Sequence, residues 1–427
     1  MKISTLDKVT GMYTFLFPEE RSGGIIRSSP EDFIVEEILS NGLYASYPPK
    51  FPEIKKGRYS LYLLERRDID LFICLNQIAN HFSISRDRIS FAGIKDKRAV
   101  SRQFISIKYG PKRNIERENF KLLYLTRFNR KLSPRYLVGN RFTVRIRNCD
   151  LSQGKKLIER IRKDGFPNFF GYQRFGAFRP INHWVGYYLI KRKFGKATLL
   201  LIGYPGLGDS EELKKAKEKF LSGGTWSELL GLLPKSFHIE HFLLRQLQHN
   251  VPPERAILKL PLRILRIFMS AFSSYVFNLM LSGMLYEKRS HQTWSDLLFL
   301  SPLDKWGNII DASVLYNEDI LRSLSQDLQN EHVDLVLPVF GYLFSETPLN
   351  HIFSTIFNIP LKAFYFKEFP EISYPGSWRR CYIKPYNLSY RFDEHSLILK
   401  FFLPRGVFAT SLLREVMKPQ DPFLSGF

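Results

Sequence analysis

Apolar and polar residues recur along this chain with two different periods, and the stretches in which each holds suggest how the molecule is divided. A period of two, the mark of a half-buried strand, runs through Tyr59–Leu64, Arg102–Lys108 and Arg141–Arg147, the last two with one basic face. Ile25–Ile38 reads as a short strand, a Ser-Pro turn and a second strand that puts Phe33, Val35 and Glu37 on one face. Spacings of three and four predict a helix over Asp68–Phe82, with Leu71, Leu75, Ile78 and Phe82 in one stripe and Asp68 or Asp70 as its cap. Asp150–Lys163 fits a second capped helix, ended by Gly165. The strands then give way. Arg192–Lys219 and Leu229–Glu254 are helix-rich, Ile264–Met284 is a long apolar helix, and Asp319–Leu328 reads as a further one. Alternation returns at Cys381–Asn387 and Ser396–Leu403, before a last helix near Thr410–Met417. Strands at both ends of the chain and helices in its middle predict an α+β fold interrupted by a large insertion. There is no internal repeat and no low-complexity linker.

A length of 427 residues fits two or three domains with ample core, and 44% hydrophobic with 24% charged residues is an ordinary globular composition. Charge changes the picture. With 63 Lys+Arg against 41 Asp+Glu the chain carries +22, which points to a polyanionic partner, nucleic acid or an anionic membrane. No run approaches 18 consecutive apolar residues, which argues against a membrane-spanning helix, and no segment joins a basic face to a continuous apolar one. The first residues lack the apolar core of a signal peptide. Cys74, Cys149 and Cys381 stand isolated, which suits a reducing cytoplasm and argues against a Cys-based zinc site. The positive charge is also concentrated: residues 95–147 hold 16 Lys/Arg against three acids, a net +13, interleaved with aromatics such as Phe104, Phe120 and Phe142. Basic groups neutralise phosphates and aromatic faces stack on unpaired bases. For the charge the nucleic-acid reading is favoured; for the aromatics, packing in the core is.

Within that basic run Asp96 stands between Lys95, Lys97 and Arg98, just after the Gly93 turn. Neighbouring cations favour the carboxylate form, so Asp96 could serve as nucleophile or base on a polyanion held by the same cations. From these residues alone a solvated salt-bridge turn explains the pattern equally well. A second constellation, Asn168–Gly176, packs four aromatics with Asn168, Gln173 and Arg174 into nine residues. It could offer an extruded base a stacking face, an amide and a guanidinium, or it could be a buried aromatic turn. Conventional sites are missing. Gly203, Gly206 and Gly208 run in the reverse of the dinucleotide spacing, and there is no His-Glu-x-x-His, paired Cys or Gly-x-Ser-x-Gly. His238 and His241 read as surface histidines rather than metal ligands.

Gly93-Ile-Lys-Asp-Lys-Arg-Ala99 followed by Gln103 resembles the catalytic motif of the TruD family of pseudouridine synthases. Arg27–Glu37 is similar to its N-terminal motif and Asn168–Gly176 to its Asn-x-Phe-Gly-x-Gln-Arg-Phe-Gly signature. Gly139–Phe142, Arg179-Pro180 with His183 and Gly186, Ser274–Asn278 and Leu403–Gly406 with Ala409-Thr410 follow in family order. The resemblance implies a pseudouridine-synthase catalytic domain with a mixed β-sheet over 1–190 and 372–427. It also implies a helix-rich TRUD insertion domain over 191–371 and an RNA-binding cleft between the two. It implies Asp96 as the catalytic aspartate, Phe170 as the aromatic residue on the target base and Asn168 as the active-site amide. Arg27, Phe33, Lys95, Gln173 and Arg174 would join them in binding substrate. Arg27 stands where many relatives carry Lys, and a guanidinium is bulkier, forked and effectively never deprotonated. The implied substrate is tRNA, chiefly its uridine 13, modified in the cytoplasm by a monomer with no cofactor and no metal. The rival classes are an RNA-binding protein of the same fold that lost the reaction and a hydrolytic RNA-processing enzyme. Shortened RNA would mark hydrolysis, and unchanged length with altered nucleosides would mark isomerisation.

Overall fold

The computed structural model describes residues 2–40, 42–47, 49, 56–176, 179–206, 209–290, 299–310, 314–315, 333–344 and 348–427. The helix expected over Asp319–Leu328 lies outside them. The chain forms two compact units, each assembled from three stretches. The sheet unit comprises Phe17–Phe166, Leu303–Asn308 and Tyr382–Phe427, and the helical unit Met1–Leu16, Pro167–Pro302 and Ile309–Cys381. Compactness thus groups residues 1–16, 167–190 and 372–381 with the helical unit and 303–308 with the sheet unit, whereas the resemblance assigns the first three stretches to the catalytic domain and the last to the insertion. The physical reason for 182–190 is its close packing on the longest helix, described below.

The sheet unit is built on nine strands. In chain order these begin with β1 (Phe33–Leu39), β2 (Tyr59–Arg67), β3 (Ile89–Phe91), β4 (Val100–Lys108), β5 (Ile115–Glu116), β6 (Phe120–Phe128) and β7 (Leu137–Arg147). Tyr386–Asp393 and Ser396–Pro404 complete the sheet. Across it the order is Tyr386–Asp393, Ser396–Pro404, β7, β1, β4, β2, β6, β5, with β3 also on β4. β1 pairs parallel with β4 and antiparallel with β7, so the sheet is mixed, as expected. Of the strand expected from Ile25 only a single bridge to Arg147 forms, because Arg27 turns the backbone to a φ of +57° and a 3-10 turn, Pro30–Asp32, follows. The strand expected over Cys381–Asn387 is split at Pro385, which has no amide to give a ladder. Leu71–His81 is the predicted helix, capped by Asp70, whose Oδ1 accepts from the amides of Phe72 and Ile73 at 2.8 and 3.3 Å. Leu71, Cys74, Leu75 and Ile78 pack on Leu64, Ile105 and Ile107. The interleaved aromatics are largely core: Phe104, Phe120 and Phe142 are all buried.

The helical unit is organised by Leu262–Ser290, against which Asn182–Ile190 packs closely. A Cβ on Gly186 would lie 2.1 Å from the carbonyl oxygen of Phe268, so only glycine lets the two backbones approach. Leu262–Tyr286 corrects the expectation that no segment is apolar and long enough to cross a membrane: it spans 25 residues with a mean hydropathy of 1.5. Its most apolar 18-residue window is 72% buried inside the fold, as a core helix is. The sequence also hid an antiparallel sheet here, ordered Val314–Leu315, Phe299–Pro302, Val333–Val339, Ser377–Arg380.

Candidate active site

Asp96 lies in the loop between β3 and β4, and the loop's backbone is fastened along its length. Gln103 Nε2 donates to Gly93 O at 3.0 Å, Arg66 Nη2 to Lys95 O at 3.4 Å, and Ser101 Oγ to Asp96 O at 2.9 Å. Lys95 faces inward: its Nζ is 2.6 Å from Glu37 Oε1, with both side chains buried. The second Glu37 oxygen accepts the Phe104 amide at 3.0 Å. Lys97 and Arg98 are exposed. The Asp96 side chain remains 28% exposed, with Oδ1 3.6 Å from Arg27 Nη2, a charge pair rather than a hydrogen bond.

Arg27 thus places a cation beside the carboxylate, and it is built in firmly. Its guanidinium sits 4.1 Å from the centre of the Phe33 ring, and its Nη1 donates to Gly426 O at 3.2 Å. The Ile26 amide donates to Ser425 O at 3.0 Å, so the C-terminal residues hold this corner at two points. Gly426 has a φ of +90°, and a Cβ there would fall 2.0 Å from Ile26 O. The left-handed φ of +57° at Arg27 costs a non-glycine residue about 1–2 kcal/mol, which the surrounding contacts offset. Burial pushes the Arg27 guanidinium down from its ordinary value, Asp96 pushes it back up and Arg98 pulls it down again. A guanidinium has range enough to stay charged through this.

The wider basic surface is less bare than the sequence suggests. Arg102 lies 2.6 Å from Glu65 and 3.0 Å from Glu36, and Arg141 is 2.7 Å from Glu36. Arg147 pairs with Asp32 at 2.7 Å. Burial pushes the Asp32 carboxyl up, but Arg147, the Ser29 amide and Arg145 together hold it below its usual range.

Asn168, Phe170, Gln173 and Arg174 gather in the helical unit. Asn168 is buried and its amide is engaged by the protein: Nδ2 donates to Arg380 O at 3.0 Å, and Oδ1 accepts from Arg379 Nη2 at 2.6 Å. Arg379 also donates to the carbonyl oxygens of Asn168 (2.9 Å) and Phe169 (3.3 Å), and its guanidinium lies 4.0 Å from the Phe170 ring centre. Phe170 is 6% exposed and meets Phe277 edge-on at 5.5 Å. Its backbone is gripped by Asn278, which accepts from the Phe170 amide at 2.8 Å and donates to its carbonyl at 3.1 Å. Arg174 Nε donates to Ser274 Oγ at 3.2 Å, and Gln173 is exposed in the turn Tyr172–Arg174. Burial pulls Arg379 down to about 9, Arg174 adds to this and Tyr374 opposes it.

The structure thus brings Asp96, Lys95, Arg27 and Phe33 together in one unit and Asn168, Phe170 and Arg174 in the other, each within a network whose key members sequence reasoning missed. Arg66 in the first and Arg379 in the second carry no local motif, and Glu37, which closes the Arg27–Glu37 motif, gives no sign there of its pairing with Lys95. The one readable signal for Arg379 is the tandem Arg379-Arg380 after Trp378. Among the described residues no group of His, Cys, Asp and Glu is arranged to hold a metal ion. Chemically, the first cluster presents a carboxylate with one buried cation at charge-pair distance, and the second presents an aromatic ring clamped beneath a guanidinium.

The profile of the family described as tRNA pseudouridine synthase D (TruD) matches residues 9–416. A Pyrococcus furiosus protein named "Probable tRNA pseudouridine synthase D" is 31% identical over 421 residues, covering 96% of this chain and 99% of that one. A Thermococcus gammatolerans protein of the same name is 33% identical over 413 residues, covering 93% and 95%. A crystal structure of a Methanosarcina mazei protein that bears the name tRNA pseudouridine synthase D superposes with a TM-score of 0.77 at 27% identity, over 98% of this chain and 99% of that one.

Proposed function

The chain belongs to the TruD family of tRNA pseudouridine synthases, and from that premise we propose that it converts uridine to pseudouridine in tRNA, at position 13, with Asp96 as the catalytic residue. The observation that carries this is a partly solvent-facing carboxylate, held by a fastened loop with Arg27 at 3.6 Å. In the reaction the N1–C1′ bond breaks, the uracil turns, and C5 bonds to C1′. C5 loses a proton as N1 gains one, so substrate and product are isomers and the balance closes without a redox partner or a group donor. An ionised Asp96 serves either as nucleophile on the ribose or as the base that deprotonates it. Aligning it with the sugar is worth about 7 kcal/mol or more of barrier.

Arg27 supplies fixed positive charge beside the carboxylate and cannot act as a neutral amine. Lys95 acts through Glu37, as a positioning residue for the loop. Asn168 likewise acts through Arg379, which also holds the Phe169 carbonyl, and Phe170 packs on the flipped base, offsetting part of the few kcal/mol that flipping costs. Three cysteines that form no disulfide are in keeping with a cytoplasmic setting. The test is carbodiimide treatment and primer extension on tRNA transcripts incubated with and without the protein. A new stop at position 13 is expected. A stop elsewhere in tRNA would overturn the site of modification, and no stop in any transcript would overturn the reaction.

A further inference from the structure

The sheet unit carries a second concavity that the reaction leaves unused. It encloses about 480 Å³, within the ~300–1,000 Å³ common for small-ligand pockets, between β1, β7, the two C-terminal strands and the turn Leu303–Asn308. Its apolar wall is aromatic: the Phe402 ring centre lies 6.1 Å from that of Trp306 and 5.8 Å from that of Tyr386. Its polar wall is formed by Lys305, Lys400, Arg141 and Asn387, and among the described residues no carboxylate lines it. Glu36, the nearest acid to Arg141, is neutralised by Arg141 and Arg102 together. Ile38 lines the concavity and is the neighbour of Glu37 along β1, so by strand alternation the pocket opens on the face opposite to the one where Glu37 meets Lys95.

The turn that delivers Trp306 is rigid. Asp304 Oδ1 accepts from the amides of Trp306 (2.8 Å) and Asn308 (2.9 Å), and Gly307 adopts a φ of +76°. Asn308 Oδ1 accepts the Arg405 amide at 3.2 Å, tying the turn to the end of Ser396–Pro404. An aromatic platform held this way beside three cations, on a chain of net charge +22, matches what unpaired nucleotides require: a face for the base and positive charge for its phosphates.

We propose that this pocket binds an unpaired nucleotide of the RNA substrate other than the target uridine, its base against Trp306 and Tyr386 and its flanking phosphates at Lys305 and Lys400. This rests on the reading of the substrate as RNA. The test is equilibrium binding of a tRNA transcript to the whole protein across a salt series, with turnover measured in parallel. Lys305→Glu/Lys400→Glu changes two exposed side chains and leaves the fold in place. It raises Kd about tenfold and lowers the slope of log Kd against log salt by one to two. Trp306→Ala raises Kd about tenfold with the slope unchanged. Neither variant alters kcat at saturating RNA. A double variant that binds within twofold of the wild type, at unchanged slope, would overturn the proposal. Wild-type protein that binds the transcript through this pocket but forms no pseudouridine overturns the reaction and leaves the site standing.

Discussion

The loops carrying Asp96 and Phe170 are both fastened by buried arginines and lysines, yet the two networks leave different things at the surface. Around Asp96 the fastening is done by neighbours: Arg66, Gln103 and Ser101 hold backbone oxygens, and Lys95 is neutralised by Glu37. The carboxylate itself is left partly in solvent, with Arg27 at charge-pair distance. Around Phe170 the candidate residues are themselves the fastening. The Asn168 amide is engaged at both ends, and Arg379 covers Phe170. The first site is built to present a reactive group, the second to hold a shape.

That contrast is broken most sharply at Asp96. Asp96→Asn keeps the size and removes the charge, and product formation should fall on the order of 10⁴-fold or more, with tRNA affinity within about twofold. Substantial turnover by this variant would return Asp96 to a salt-bridge turn. Next comes the buried pair beneath it. Lys95→Met leaves Glu37 without its cation and should cost about 3–5 kcal/mol in urea unfolding, whereas Lys95→Met/Glu37→Gln recovers most of the loss. Equal losses in the two proteins would mean that the pair itself, and not the orphaned charge, sets the cost.

Phe170→Ala should cost about 3 kcal/mol of stability and lower kcat by more than it raises KM. Parallel loss of kcat and RNA affinity would make Phe170 a packing residue alone. The smallest effect concerns His183, which is buried in the same unit and stacks on Tyr275 at 4.6 Å. Burial pushes its imidazole from 6.5 down to about 3, so between those values the unfolded chain takes up a proton that the folded chain refuses. Stability therefore falls as pH drops below 6.5, by about 2 kcal/mol at pH 5. His183→Phe should lessen the fall in melting temperature between pH 7 and pH 5, and an unchanged fall would clear His183 of it.

What was legible in the sequence was local. The Asp70 cap, the helix closed by Gly165 and the Gly93–Gln103 turn are all written within a dozen or so residues, and each forms. The partners that decide the sites are distant. Lys95 finds Glu37 at 58 residues' separation, Asn168 finds Arg379 at 211 and Arg27 finds Gly426 at 399, and no periodicity encodes such pairs. Phe120–Phe128 escaped notice because Leu122, Leu123, Tyr124 and Leu125 break its alternation, and the register against β2 shifts at Leu125. The strands Phe299–Pro302 and Val333–Val339 were hidden for a different reason: they are short and set among helices, where apolar runs read as helix faces.

Ser396–Pro404 lies inside the large sheet, between β7 and Tyr386–Asp393. On the ribosome this interior strand is made only after the whole helical middle of the chain. β7 emerges early and must then wait, its outer edge unpaired, while the whole helical middle of the chain is synthesised, an interval on the order of tens of seconds at typical elongation rates. An open edge of that kind invites pairing with another nascent chain. Production of the protein is thus most exposed to aggregation in the interval before Ser396–Pro404 is made, whatever the stability of the finished fold.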